Sequence, residues 1–304
     1  MISAMLTKME SVAIACPICL EVRNRYFANK SGWNIRLCEH CGFAFVHPIP
    51  TQQELKQLYS RAYFRNEGKT DRGYTDYDKD KEPMRSIFEL YLSKLERLSE
   101  KKRIFDVGAA TGYFLDIARS RGWKTYGSEI SEYGASEASR RGHQIIYGSI
   151  VDKRPPEKMG AVTMWDVLEH VSDPLAYLRA ANAMLEPEGI LAINTVDRGS
   201  WWARFMGSRW HLMIPPEHLS YFTRESLEIA LEACGFESIE YRKIGKSFSP
   251  SYVFKTLGSW QGIEIWNILA RMADSPFFRV FSLPINLRDN VFVLAKKRYD
   301  LQGH

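Results

Sequence analysis

Three residues with acid–base or metal-binding side chains follow an apolar run in the segment MWDVLEHV, which spans Met164 to Val171. Asp166, Glu169 and His170 occupy positions i, i+3 and i+4, so a helix that begins near Asp166 would place all three on one face. Carboxylates and an imidazole on one face can transfer a proton or ligate a metal ion. The alternative is structural, because acids also stabilise the start of a helix without any catalytic role.

A second chemical pattern comprises four cysteines near the N-terminus. They form two C-x-x-C pairs, CPIC with Cys16 and Cys19 and CEHC with Cys38 and Cys41, separated by eighteen residues. Two such pairs can complete a closed tetrahedral Zn²⁺ site, which leaves no open position for catalysis. We therefore expect a structural zinc in a zinc-ribbon module that is too small to fold without its metal. Cys234 lies in the apolar segment LEACGF and is expected to be a core residue rather than a nucleophile.

The segment RIFDVGAATGYFLDIARSRGW predicts a strand, a tight turn and a helix. Asp106 ends the strand, and the turn consists of small residues, Gly108, Ala109, Ala110 and Gly112. Small residues let a ligand approach the backbone, and a helix start offers N–H groups to it. Glu129 ends the next strand, where a carboxylate can accept both hydroxyls of a ribose. The alternative is a capping role for Asp106 and a solvated strand end at Glu129.

The elements that must position these residues are strands and helices in alternation from Lys101 onwards. Seven β-like runs occur, namely RIFDVGA, KTYGSEI, QIIYGSI, AVTMWDV, GILAINTV, ESIEYRKI and NVFVLAKK. Strands separated by helical stretches predict an α/β fold with a mostly parallel sheet. Before the sheet, the segment MRSIFELYLSKLERL predicts a helix from apolar residues that recur every three or four positions, Ile87, Leu90, Tyr91, Leu95 and Leu98.

The last two strand-like runs are separated by an aromatic-rich insert, residues 245–287. Its apolar residues recur at helical spacing, at Val253, Leu257, Trp260, Ile263, Trp266 and Leu269. Such stripes are usually helix faces packed on a core. The functional alternative is a lid over an apolar acceptor or a surface that contacts membrane lipid.

Composition narrows the class of protein. The chain has 304 residues, enough for one large domain and a small module, and its formal charge of +5 does not require a nucleic-acid partner. The N-terminus lacks the basic and apolar regions of a signal peptide, and no uncharged apolar run approaches the roughly 18 residues of a membrane span. We expect a cytoplasmic protein, with membrane association limited to the insert.

Between about Lys101 and Lys297 the chain resembles the class I S-adenosylmethionine-dependent methyltransferases. The segment FDVGAATGYFL is similar to the family motif D/E-x-G-x-G-x-G, with Ala110 in place of the middle glycine. The resemblance implies that Glu129 binds the ribose and that Ile130, the next residue, also contacts the cofactor. It further implies that Ser149 and Ile150 of YGSI lie along the adenine. Many members carry Asp at the Ser149 position. The segment MWDVLEHVSDP is similar to the motif beside the methionine part of the cofactor, which implies contacts from Trp165 and Asp166.

The closest subgroup in this resemblance is the ubiquinone-biosynthesis O-methyltransferase-like enzymes that carry an N-terminal zinc ribbon. The segments CGFAFVHPIPTQQELKQLY and PEHLSYF are similar to stretches typical of that subgroup. The resemblance implies a Rossmann-like sheet of seven strands, with helices on both faces and the last strand antiparallel. The implied organisation is a zinc-ribbon module (1–50), a helical, tyrosine-rich connector contributing to the pocket (51–100), and a methyltransferase domain (101–304).

The resemblance favours methylation of a small molecule, most often at oxygen, with a glycan, a lipid-linked compound or an aromatic metabolite as acceptor. An RNA methyltransferase that contacts its substrate through the zinc ribbon is the alternative, although the chain lacks basic residues interleaved with aromatics. A regulator that binds the cofactor without catalysis is a third class. The sequence does not indicate an oligomeric state.

A similar E-x-x-E-H segment with a later histidine holds a divalent metal in the small-RNA 3′-end 2′-O-methyltransferases. The matching residues here are Asp166, Glu169, His170 and, in PPEHL, His218. A catalytic metal at these residues would acidify an acceptor hydroxyl. The same resemblance leaves open a metal-free role, in which His170 or His218 acts as general base. It also leaves open a structural role, because relatives without the metal carry the same LEH segment.

Overall fold

The computed structural model describes residues 14–51, 54, 84–248, 254, 258, 264–273 and 283–298. In chain order the described strands are β1 (Asn24–Lys30), β2 (Trp33–Cys38), β3 (Ala44–Val46), β4 (Arg103–Val107), β5 (Lys124–Glu129), β6 (Gln144–Tyr147), β7 (Met159–Trp165), β8 (Leu185–Val196), β9 (Ser220–Tyr221), β10 (Phe236–Phe248) and β11 (Leu283–Lys297). The described helices are α1 (Arg85–Leu98), α2 (Tyr113–Ser120), α3 (Glu132–Arg140), α4 (Pro174–Met184), α5 (Trp201–Met206), α6 (Arg224–Ala233) and α7 (Glu264–Ala273).

Seven strands form the large sheet in the order β10-β11-β8-β7-β4-β5-β6. The five strands from β4 to β8 that belong to this sheet run parallel, and β11 is antiparallel to both of its neighbours. Strands covered on both faces need near-continuous apolar runs, which β7 supplies with six buried residues out of seven. The predicted α/β fold and its antiparallel last strand are confirmed.

Helix α1 forms where the sequence predicts it, and its buried face coincides only in part with the periodic apolar residues. Its buried residues are Phe88, Tyr91, Leu92 and Leu95, whereas two of the periodic residues, Leu90 and Leu98, are each almost half exposed. The reason is a set of ring contacts that starts at Phe88. This ring lies 5.2 Å from Phe114 of α2 and 5.6 Å from Trp165 at the end of β7, measured between centroids. Packing on these aromatics sets the rotation of the helix.

The smaller sheet joins the N-terminal module to the rest of the chain. Its order is β1-β2-β3-β9, and more than twenty residues of chain separate β9 from the end of β8 in the large sheet. Ala44 pairs with Tyr221 and Phe45 with Ser220 in antiparallel register. Phe43 extends this contact, because its ring lies 5.0 Å from that of Phe222. The module therefore shares one sheet and one apolar core cluster with the α/β domain.

The strands of the final hairpin extend into the segment 245–287. Lys246 pairs with Ile285 and Phe248 with Leu283, so part of this segment continues the large sheet. Helix α7 carries Trp266 and Leu269, while the other four members of the predicted apolar stripe lie outside the described residues. Among the described residues, no helix combines the length and the hydropathy that a membrane span requires. Lipid contact by this segment stays a prediction.

Candidate functional site

The turn after β4 has the backbone shape expected of a cofactor loop. Gly108 and Gly112 adopt φ values of +71° and +90°, and Ala110 lies at +49°, a region that costs energy for a residue with a Cβ. An added Cβ at Gly108 would come within 2.8 Å of a methyl of Val167. Asp106 is buried just before the turn and accepts a hydrogen bond of 2.6 Å from Thr163 Oγ1 on β7. The loop is thus held against the segment that follows β7.

Glu129 is buried at the end of β5, and its carboxylate is oriented by two backbone groups. Oε2 accepts from Ala110 N at 2.9 Å, and Oε1 accepts from Ser131 N at 2.8 Å. Burial raises the pKa of Glu129, and hydrogen bonds from the backbone N–H groups of Ser131, Ala110 and Ile130 act in the opposite direction. Because each carboxylate oxygen has a second lone pair, both can accept a further hydrogen bond. This geometry fits a carboxylate that receives two ribose hydroxyls.

Apolar side chains border Glu129 at the same edge of the sheet. Ile130 after β5 is 43% exposed and Tyr147 at the end of β6 is 54% exposed. The turn after β6 is held close, because Gly148 N donates to Glu129 O at 2.9 Å. An exposed aromatic and an exposed aliphatic side chain beside the acid that is predicted to bind the ribose suit a purine face. Sequence reasoning missed Tyr147, although its place at the carboxyl end of a strand beside β5 was a usable signal.

Two further candidates from the YGSI segment have different surroundings. Ser149 Oγ accepts a hydrogen bond of 3.1 Å from Val151 N and so shapes the turn. Ile150 is fully buried in the apolar core cluster beneath it. The contacts of Ser149 and Ile150 with adenine are still expectations from the sequence resemblance.

The end of β7 holds Trp165 and Asp166 in fixed positions. Trp165 is half-buried and its ring packs against four others, those of Phe88, Tyr91, Phe114 and Phe292. Asp166 has a φ of +53°, and it exchanges two hydrogen bonds with Asn194 of β8, one through its backbone N–H and one through Oδ1. Strain at a non-glycine residue is typical of functional sites.

The segment after Asp166 is a turn and not the start of a helix. His170 N donates to Val167 O at 2.9 Å, and helix α4 begins only at Pro174. Asp173 caps that helix by accepting from Ala176 N at 3.0 Å. Proline is favoured in the first turn of a helix and disfavoured inside one, so the helix starts at the Asp-Pro pair. The prediction of one helical face for Asp166, Glu169 and His170 is therefore wrong.

The turn nevertheless brings acid and histidine together with a residue far along the chain. Glu169, His170 and His218 each offer a ligand atom, and these atoms all lie within 4.8 Å of one another. We call this group the Glu–His–His cluster. The two imidazole rings are perpendicular, with centroids 4.7 Å apart. Asp166, the fourth residue of the predicted metal set, does not belong to this cluster.

Backbone carbonyls select the tautomer of both neutral imidazoles in the Glu–His–His cluster. His170 Nδ1 lies 2.7 Å from Glu217 O, and His218 Nδ1 lies 2.7 Å from Leu212 O. A carbonyl can only accept, so each Nδ1 must carry the proton. In the neutral rings Nε2 is then the nitrogen with the lone pair. This tautomer suits either a general base or a metal ligand.

Glu169 is held from two sides. Its Oε2 accepts a hydrogen bond of 2.7 Å from Thr195 Oγ1 on β8, and its side chain is almost fully buried. Its backbone oxygen accepts from Leu219 N at 2.7 Å and from Ser220 N at 3.0 Å. The segment that carries His218 is thereby fastened to the turn that carries His170.

The four cysteines of the N-terminal module form a compact group. Cys16 Sγ lies 3.7 Å from Cys41 Sγ, and Cys19 Sγ lies 3.6 Å from Cys38 Sγ. All four sulfurs are within 4.8 Å of one another. Four sulfurs at about 2.3 Å from a tetrahedral Zn²⁺ are spaced by about 3.8 Å, so these separations fit one zinc ion. Cys234 is buried in the core, where burial raises the pKa of its thiol.

The module of four cysteines is tied to the segment that carries His218. Val46 N donates to Leu219 O at 3.0 Å, next to His218. Thr223 Oγ1 donates to Cys41 O at 2.8 Å. The two clusters are therefore attached to opposite ends of one short stretch of chain, from His218 to Thr223.

Comparison with known proteins identifies the family. A family model described as "Methyltransferase domain" matches residues 81–241, more than half of the chain. This range contains the cofactor loop, Glu129 and the Glu–His–His cluster.

Curated relatives carry the name "Ubiquinone biosynthesis O-methyltransferase". The protein of Bordetella avium (strain 197N) is 25% identical over 198 residues, which cover 58% of this chain and 82% of the relative. That of Dinoroseobacter shibae is 28% identical over 161 residues, which cover 49% of this chain and 64% of the relative, less than two thirds of its length.

Two solved structures share the fold at low identity. The [4+2]-cyclase SpnF has a TM-score of 0.51 at 20% identity, with 82% of this chain and 97% of that chain covered. A methyltransferase in complex with the Trm112 methyltransferase activator of Haloferax volcanii has a TM-score of 0.50 at 15% identity, with 73% and 94% covered. They support the fold alone. The family match confirms the prediction of an S-adenosylmethionine-dependent methyltransferase, and the chain belongs to the methyltransferase domain family.

Proposed function

We propose that this methyltransferase methylates a hydroxyl oxygen of a small-molecule acceptor and that His170 and His218 handle the acceptor's proton. The observation that carries the proposal is the Glu–His–His cluster, whose ligand atoms lie within 4.8 Å of one another. Glu169 and His170 lie in the turn after β7, and Val167 of the same turn is next to Gly108 of the cofactor loop. This contact supports a cofactor that binds near the cluster.

The names of the relatives support oxygen as the methylated atom and a small molecule as the acceptor. An aromatic or lipid-linked hydroxyl is closest to what those names describe, and a glycan hydroxyl remains within the same proposal. RNA as acceptor stays the alternative prediction from the sequence, and the relatives' names do not favour it.

The residues that would hold S-adenosylmethionine are those of the cofactor loop and the neighbouring strand ends. Glu129 would bind the ribose, Ile130 and Tyr147 would cover the adenine, and Asp166 would face the methionine part. The bound cofactor supplies a methyl group that is already activated by its sulfonium charge. The protein then has to align an acceptor oxygen with that methyl and exclude water from it.

The acceptor hydroxyl must lose its proton during the transfer. His170 and His218 each have the lone pair on Nε2, so either ring can accept that proton. The buried Glu169 beside them would stabilise the imidazolium that results. Hydrogen bonds to Glu217 O and Leu212 O keep both rings oriented through this change.

A divalent metal at Glu169, His170 and His218 is the second candidate for the same step. The outward Nδ1 hydrogen bonds of both rings are typical of metal-ligating histidines. Such an ion would lower the pKa of the acceptor hydroxyl enough for its proton to pass to solvent water, without a dedicated general base.

For the N-terminal module we propose a structural zinc at Cys16, Cys19, Cys38 and Cys41. The sulfur separations of 3.6 and 3.7 Å support it, since they match a tetrahedral site. A site with four thiolates has no position for a substrate, so its role is to hold the module.

The test is methyl transfer from labelled cofactor to pools of hydroxyl-bearing metabolites, followed by the same assay on His170→Ala and His218→Ala. We expect rates roughly 10²- to 10⁴-fold lower for the variant that removes the base. His47→Ala, which changes a half-buried histidine that belongs to neither cluster, is the matched control and should retain full activity. Full activity in both His170→Ala and His218→Ala would refute the general base.

The metal is tested by mild chelation that spares the cysteine site, followed by addition of Mg²⁺ or Mn²⁺. Activity that disappears and returns with the ion would favour the metal. Unchanged activity after stripping, with the zinc content verified, would eliminate it.

A further inference from the structure

A cavity of about 750 Å³ lies where the cysteine module meets the α/β domain. Its wall includes Cys41 and Gly42 of the module, the residues after β8, and the start of α6. None of the three residues of the Glu–His–His cluster lines it. Four basic and three acidic side chains contribute to the wall, Arg198, Arg204, Arg224, Lys243, Asp197, Glu225 and Glu228.

Arg198 is a partly buried arginine in this wall that has no carboxylate partner among the described residues. Its Nη1 donates to Gly42 O at 3.1 Å, and its guanidinium lies 5.0 Å from the centre of the Phe27 ring. Among the residues that the structure describes, no carboxylate forms an ion pair with it, and its Nε is buried without a hydrogen-bond partner. Burial lowers the pKa of Arg198 to about 10, with further lowering from the positive charges of Arg204 and Arg25.

The other charges of the cavity largely neutralise one another. Lys243 Nζ lies 3.3 Å from Asp197 Oδ2, and Arg224 Nε lies 2.8 Å from Glu228 Oε1. In the described part of the chain, Arg204 has no ion-pair partner. The cavity wall therefore keeps two arginines without counter-ions, against the single remaining carboxylate of Glu225.

Placing an arginine in a partly buried position beside a second arginine is unfavourable unless an anion compensates it. The planar guanidinium matches the two oxygens of a carboxylate or phosphate, and it does so better than an ammonium group. We propose that Arg198 and Arg204 bind an oxyanion in this cavity, namely the phosphate or carboxylate group of a small molecule.

The binding of an oxyanion goes beyond the proposed methyl transfer and does not depend on it. The cavity and the Glu–His–His cluster are nevertheless neighbours along one segment. Arg198 N donates to Phe222 O at 2.7 Å, and Ser220 N donates to Glu169 O at 3.0 Å. An acidic group bound at Arg198 would thus be anchored within a few residues of the cluster.

The experiment titrates the 304-residue protein, prepared in the presence of zinc, with inorganic phosphate, pyrophosphate and acetate at constant ionic strength, without methyl donor. Binding is followed by calorimetry and by the shift in melting temperature. We expect saturable binding of at least one anion, weakened at least tenfold in Arg198→Gln and about threefold in Arg204→Gln. Preference for phosphate or for acetate identifies the group.

Arg204 and Arg209 are both exposed, so neither Arg204→Gln nor the matched control Arg209→Gln should disturb the fold. Arg209 does not line the cavity, and its variant should bind the anion as the unmodified protein does. The proposal is overturned if no anion binds saturably, or if Arg204→Gln and Arg198→Gln both bind as the unmodified protein does. Absence of methyl transfer in any of these proteins would leave this binding result unaffected.

Discussion

The two clusters of ligand-type side chains differ in how complete they are. The cysteine cluster has four like donors, with sulfur separations that match one tetrahedral ion. The Glu–His–His cluster has three mixed donors, and each is oriented by a hydrogen bond to a group outside the cluster. A site with four protein ligands is closed and stabilises the structure, whereas a site with three protein ligands leaves a position at which a substrate can bind.

The clusters also differ in what the chain must do to build them. Each cysteine pair lies on a local turn, so the spacing in the sequence already encodes the site. His218 reaches His170 only because β9 pairs with β3 and because Glu169 O binds two backbone groups of the β9 segment. The first site needs local geometry, and the second needs the whole fold.

The largest effect is expected from breaking the cysteine cluster. Cys16→Ser and Cys38→Ser should lose the zinc, because a closed site with three thiolates binds far more weakly. Structural zinc contributes roughly 10 kcal/mol or more in small metal-dependent modules, so residues 14–46 should become sensitive to protease. Elemental analysis and limited proteolysis measure both.

Cys234→Ser is the matched control for this experiment, since its thiol is buried in the core away from the module's four sulfurs. It should retain one zinc per chain. Zinc retained in Cys16→Ser and Cys38→Ser alike would contradict the four-cysteine site.

The next largest effect is expected on the affinity for the cofactor, and it should leave both clusters unchanged. Glu129→Ala removes the carboxylate proposed for the ribose, and Gly108→Val places a Cβ within 2.8 Å of Val167 at a φ of +71°. Each should weaken the binding of S-adenosylmethionine by roughly 10- to 100-fold, the equivalent of one or two charge-assisted hydrogen bonds. Calorimetry measures the affinity, and the zinc content should stay at one per chain. Unchanged affinity in both variants would show that the cofactor binds at another place.

The smallest effect compares two threonines that support different carboxylates. Thr195→Val removes the hydroxyl that donates to Glu169, and Thr163→Val removes the one that donates to Asp106. Each loss is about 0.5–1.5 kcal/mol, or roughly two- to tenfold. We expect Thr195→Val to lower kcat with little change in cofactor affinity, and Thr163→Val to lower cofactor affinity. The same profile for both variants would show that the two sites do not act separately.

The sequence predicted the parts of the molecule that depend on local patterns. Short β-like runs alternating with helical stretches predicted all seven strands of the large sheet, and the C-x-x-C spacing predicted the cysteine cluster. Segment similarity also selected Glu169, His170 and His218 as one group. The strands and the cysteine pairs need only neighbours in the chain or a motif of fixed spacing, whereas the distant His218 was selected through the family resemblance alone, together with Asp166, which lies outside the cluster.

Features decided by tertiary contacts were not predictable in the same way. The start of α4 was placed too early, because a capping pair at Asp173 and Pro174 outweighs the acids before it. The buried face of α1 is set by the aromatic rings it meets, so Leu90 and Leu98 of its periodic apolar residues are left almost half exposed. The attachment of the module through β9 leaves no pattern in either of its two short strands.

That attachment has a consequence for the order of folding. Ala44 and Tyr221 pair across the small sheet although five of the seven strands of the large sheet lie between them in the chain. Contacts between distant residues form slowly, since the intervening loop must close before they contribute any stability. We therefore expect the β3–β9 pairing to be one of the last contacts to form, so that His218 reaches its place beside His170 only when folding is nearly complete. Acid–base chemistry would then be withheld from every partly folded form of the chain.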